Sequence, residues 1–149
     1  MLRSLIKSIE FKSTGFVIIY TYSVQGDTMN IILENEVTDQ IADKYILLEL
    51  DTFLRTSNGQ RVKSYAVVSR DDIILQEIPT LESNQKLHAD LMRNYKKGDW
   101  NYCKQAISFL QGKWKGEIDS FYMILGTRIK KLESEPKNEN WDHAIPTPQ

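Results

Sequence analysis

Residues 95–100 read Tyr-Lys-Lys-Gly-Asp-Trp, and the way this stretch turns decides the fold. The segments on both sides have helical spacing. Upstream, Leu87, Leu91 and Tyr95 recur at i, i+4 and i+8, with His88 and Met92 flanking them; downstream, Cys103, Ala106 or Ile107, and Leu110 form a second stripe. Gly98 supplies the left-handed residue that ends the first helix. Asp99 caps the next, accepting bonds from its orphan amides and favouring its positive end. Trp100 then packs in the first turn, between the two helices. Tyr95, Gly98, Asp99, Trp100 and Cys103 are therefore expected to build a structural corner.

Working outward, the first helix enters near Pro79 and Glu82 and runs to about Lys97, and the second runs from Trp100 to about Gln111. Gly112 ends it. A third helix begins in Glu117-Ile-Asp-Ser-Phe-Tyr, with acids at its start and Arg128, Lys130 and Lys131 near its end. Its apolar stripe is Ile118, Phe121, Tyr122, Leu125, Ile129 and Leu132. From Pro136 the composition turns polar, so residues 136–149 read as a flexible tail anchored only by Trp141 and Ile145.

Ahead of the helices the pattern changes. Residues 30–34, 44–54 and 61–69 read as strands, and residues 37–44 as one or two helical turns. Asn58-Gly59 is a strong hairpin signal, because both residues tolerate positive φ. Residues 72–75, Asp-Ile-Ile-Leu, add a further short strand. The expected fold is α+β: a small antiparallel β-sheet over 29–78, then a three-helix tetratricopeptide-like unit over 79–135.

Residues 1–28 are set apart as a doubtful extension. Codons CAA-GGA-GAT for Gln25, Gly26 and Asp27 would place the ribosome-binding sequence AAGGAG just before an ATG for Met29, making residues 1–28 upstream sequence read as protein. The competing reading is a Gly-Asp turn between two strands. Residues 15–24 loosely mimic the apolar core of a signal peptide, but Thr21, Tyr22 and Ser23 weaken it and no small-residue cleavage site follows.

Nineteen Lys and Arg against twenty Asp and Glu leave a formal net charge of −1. No global field therefore recruits nucleic acid or anionic lipid. No apolar run approaches the ~20 residues that span a bilayer. One cysteine, Cys103, excludes an intramolecular disulfide and suits a reducing compartment; with His88 and His143 it cannot complete a Cys/His zinc site. The expectation is a cytoplasmic domain with no metal, no cofactor and no membrane partner.

Three resemblances enter here. Residues 95–103, YKKGDWNYC, resemble the turn of a tetratricopeptide repeat, with Cys103 where that repeat carries alanine. The later proline is missing and about one repeat is present, which argues against a stacked solenoid. Residues 48–69, LELDTFLRTSNGQRVKSYAVVS, look like the closing hairpin of bacterial class III adenylate/guanylate cyclases, and LHADLMRNYKKGDW with the later NWD at 140–142 looks like their helical tail. Nothing matches the cyclase metal-binding aspartates, the Asn/Arg pair or the base-selecting residues. That resemblance implies an accessory module, not a cyclase. The run GKWKGEIDSFY also resembles small marine-bacteriophage proteins, which implies a phage source and the host cytoplasm, but no activity.

No catalytic constellation stands out. Gly98, Gly112 and Gly116 each fit a helix end, and no Gly-Lys-Ser/Thr follows them. Asp71-Asp72 and Glu117/Asp119 are spaced to diverge, which fits capping and solvent exposure better than metal binding or acid–base work. His88 has no nearby nucleophile in sequence. Lys96, Lys97, Lys104, Lys113 and Lys115 with Trp100 and Trp114 could form a basic aromatic face for single-stranded nucleic acid, but interleaved acids oppose it. Trp114, Phe121, Tyr122 and Met123, with Lys113, crowd the second corner. They are expected either to form an exposed protein-binding patch or to cover the small sheet. The leading function is a non-enzymatic interaction module with a protein partner. A self-associating virion or assembly component and a nucleotide-binding remnant of a cyclase-like ancestor are the alternatives.

Overall fold

A computed structural model describes residues 6–11, 15–24, 27–33, 43, 45–70, 75–136 and 139–147. Its elements run β1 (Ile6–Phe11), β2 (Gly15–Val24), β3 (Asp27–Leu33), β4 (Tyr45–Arg55), β5 (Arg61–Ser69), a 3₁₀ turn (Leu75–Glu77), α1 (Ile78–Lys97), α2 (Trp100–Leu110), α3 (Asp119–Ser134) and β6 (Ile145–Thr147). The class is α+β, as expected. The chain divides into a sheet unit, residues 1–75 with 144–149, and a helical unit, residues 76–143.

In the sheet unit the strand order is β1-β2-β3-β5-β4-β6. The β4–β5 hairpin turns where Asn58-Gly59 predicts: Gly59 has φ +71°, and the Arg55 amide donates to Gln60 O at 2.8 Å. Ile31 pairs with Ala66, and Ala66 with Leu48. These three, with Ile46, form a buried apolar layer. A register shift in β4 between Glu49 and Thr52 turns both Asp51 and Thr52 inward, breaking the period-2 alternation. Ser64 Oγ donates to Asp51 O at 2.6 Å within this irregularity.

Three expectations about this unit need correction or qualification. The sheet is mixed: β6 runs parallel to β4, pairing Phe53 with Ile145 and Arg55 with Thr147. Residues 136–149 are thus not simply a polar tail, because Thr56 donates both its amide and its Oγ1 to Thr147 O at 3.0 Å. Leu75 opens a 3₁₀ turn and not a strand. The helical turns expected over 37–44 and the strand at 72–74 lie outside the described residues, apart from helical Asp43. Residues 6–11 and 15–24, within the segment set apart as a doubtful extension, form a hairpin whose second strand pairs with β3.

The helical unit turns as the sequence predicts. Gly98 has φ +81°, its amide donates to Tyr95 O at 3.1 Å, and the Asp99 amide donates to Asn94 O at 3.0 Å. That pair of bonds is a Schellman motif, which satisfies the last carbonyls of α1. Asp99 Oδ1 accepts from the Tyr102 amide at 3.2 Å, capping α2. The corner is sealed by Tyr95, fully buried, and by Cys103, whose Sγ lies 3.7 Å from Leu91 O. Trp141 returns to this corner. Its ring meets Tyr95 and Trp100 edge-on at 5.6 and 5.4 Å, and its Nε1 donates to Tyr95 O at 3.3 Å.

Candidate functional site

The second corner, residues 111–118, joins α2 to α3 through three left-handed residues: Gly112, Lys115 and Gly116. Asp119 Oδ1 accepts from the Gly112 amide at 2.8 Å, so the first residue of α3 ties down the start of the turn that leads to it. This turn carries Trp114 inward. Its indole N–H donates to Tyr122 Oη at 3.1 Å, and Tyr122 Oη lies 2.8 Å from His88 Nδ1. An indole N–H can only donate, so Tyr122 Oη is the acceptor of the Trp114 bond, and its remaining hydrogen-bonding capacity meets His88 Nδ1. Burial pushes the Tyr122 hydroxyl well above its ordinary range, partly opposed by the Trp114 bond and reinforced by the Asp119 charge. Phe121 lies against His88, with ring centroids 6.4 Å apart.

The expected exposed patch is therefore corrected. Trp114, Phe121 and Tyr122 are at most 4% exposed. They link α1, the turn and α3 from within, Trp114 and Tyr122 through their bonds to one another and to His88, and Phe121 through its ring contact with His88. Lys113 and Met123 do reach solvent, and Met123 is 56% exposed. The side chain that sequence reasoning missed is Phe109, also 56% exposed, with Lys113 Nζ 4.9 Å above its ring centroid. Its signal was available: the buried stripe of α2 is Cys103, Ala106, Ile107 and Leu110, and Phe109 falls beside it.

The basic aromatic face does not assemble as a stacking platform, since Trp114 is buried and Trp100 is engaged by Tyr95 and Trp141. Lys104 pairs with Glu133 at 2.9 Å, bridging α2 and α3. Asp71 and Asp72 lie outside the described residues, while Asp119 serves the turn. Cys103 is a poor nucleophile: burial, then the Asp99 charge, push its thiol up to about 12. Among the described residues, no group of three His, Cys, Asp or Glu could hold a metal ion, and no helix is long and apolar enough to cross a membrane. No protein-family model, curated protein or solved structure matches the chain.

Proposed function

We propose that this chain is a non-enzymatic protein-binding module whose contact surface centres on Phe109 and Lys113. The observation that carries this reading is the pairing of a largely exposed phenyl ring with an ammonium group held over one face. An aromatic ring with a cation beside it gives an apolar anchor and an orienting charge, and both strengthen when a partner excludes water. The resemblance of residues 112–122 to marine-bacteriophage proteins adds a phage source, and with it an infected cell as the setting, to this reading.

The test uses the full chain as bait in host lysate, with Phe109→Ser and Lys113→Glu variants as controls. Both side chains are exposed, so circular dichroism is expected to be unchanged. A partner captured by the parent and lost by both variants supports the reading. A partner retained equally by both, or heat stabilisation by ATP or GTP in place of any capture, removes it.

A further inference from the structure

Gly126 lies near the middle of α3, and the fold does not account for it. Its backbone is helical and is not among the positive-φ glycines. A Cβ built there would meet nothing within 4 Å. Glycine is among the weakest helix formers, and neither conformation nor internal packing asks for one here. Gly126 shares a stripe with Asp119, Met123 and Lys130, whose 4-3-4 spacing keeps them within about 60° on a helix that advances ~100° per residue. The buried side of α3, with Tyr122, Leu125 and Ile129, is a different face.

We propose that this stripe is a homodimer interface in which two copies of α3 cross antiparallel about a two-fold axis between Ile124 and Leu125. That axis sets Met123 over Gly126 of the partner subunit, where the missing side chain leaves a notch and lets the backbones approach. It also sets Asp119, whose Oδ1 keeps its bond to the Gly112 amide while the carboxylate retains its charge and second oxygen, opposite Lys130 of the partner subunit, once on each side. Charge selects the occupant and the direction. Acid at one end of the stripe and base at the other are complementary to the same stripe reversed, whereas a parallel copy would oppose like charges. This interface is independent of Phe109 and Lys113 and goes beyond the reading built on them.

Sedimentation velocity on the full chain, from about 5 to about 500 µM, tests it in the range where a small interface dissociates. The expected result is a reversible monomer–dimer equilibrium. Gly126→Leu fills the notch and Lys130→Glu sets like charges together; each is expected to raise the dissociation constant about tenfold or more. Raising the salt is expected to weaken the parent's dimer, because exposed charge pairs are screened. Both variants are expected to keep the parent's circular dichroism, since the notch is open and Lys130 is exposed. A parent that stays monomeric throughout, or a dimer indifferent to both substitutions, overturns the proposal.

Discussion

Trp114 and Tyr122, eight residues apart, share a buried hydrogen bond of 3.1 Å whose acceptor oxygen is also bound to His88. The bond draws a turn residue, α3 and α1 into one buried cluster. Tyr122→Phe keeps the ring and removes that oxygen, leaving two buried polar groups without it. The expected cost is about 1–3 kcal/mol, read as a lower urea midpoint with unchanged slope. A cost near zero would show that His88 and Trp114 find other partners.

Asp99 and Gly98 can be tested separately. Asp99→Ala removes the cap on Tyr102 N and is expected to cost about 1 kcal/mol. Gly98→Ala forces a side chain into φ +81° and is expected to cost about 1–2 kcal/mol, although nothing but the Trp100 ring lies within 4 Å of the new Cβ. Chemical denaturation of each variant and of the double variant checks both, and neighbouring effects are not expected to add fully.

Cys103 makes the protein sensitive to alkali. Its folded thiol is pushed up to about 12 from an ordinary value of 9.0. Above the unfolded value the unfolded thiol loses its proton and the folded one keeps it. Stability is therefore fully present below about pH 9 and is expected to fall as pH rises beyond it. Tyr122 and Tyr65, both raised chiefly by burial, add to the fall once their unfolded hydroxyls begin to ionise near pH 10. Cys103→Ala should flatten the first part of that decline in a pH series of denaturation curves. At pH 8 a thiol reagent should label the native protein only as fast as it opens.

Gly126→Ala should move two observables in opposite directions. Replacing glycine inside a helix is expected to stabilise the monomer by about 1 kcal/mol, while partly filling the notch should weaken self-association. Heat denaturation at low concentration and sedimentation at high concentration check the pair.

The first corner was legible because its determinants are local: a left-handed Gly98, a capping Asp99 and a buried Tyr95 lie within five positions. The hairpin at Gly59 was legible for the same reason. The second corner misled because helical spacing shows which residues share a face, but not what meets that face. Phe121 and Tyr122 find His88 across 33 and 34 positions, and Trp114 is turned inward by a bond that periodicity does not encode. Strand β6 was hidden for a related reason. Its pairing with β4 spans about ninety positions, and Pro146, which lacks an amide proton, speaks against a strand until an edge is available.

The position of β6 in the chain carries a consequence for synthesis. The helical unit is inserted between β5 and β6, so the sheet's last strand leaves the ribosome after everything else described. Until residues 145–147 emerge, the Phe53–Arg55 end of β4 lacks the neighbour it has in the finished fold. Closing so long a loop costs less once the intervening helices have formed and shortened it. The sheet thus waits on a segment that folds later than itself, and a ribosome stalled before residue 145 would hold a chain with five strands made and the sixth still missing.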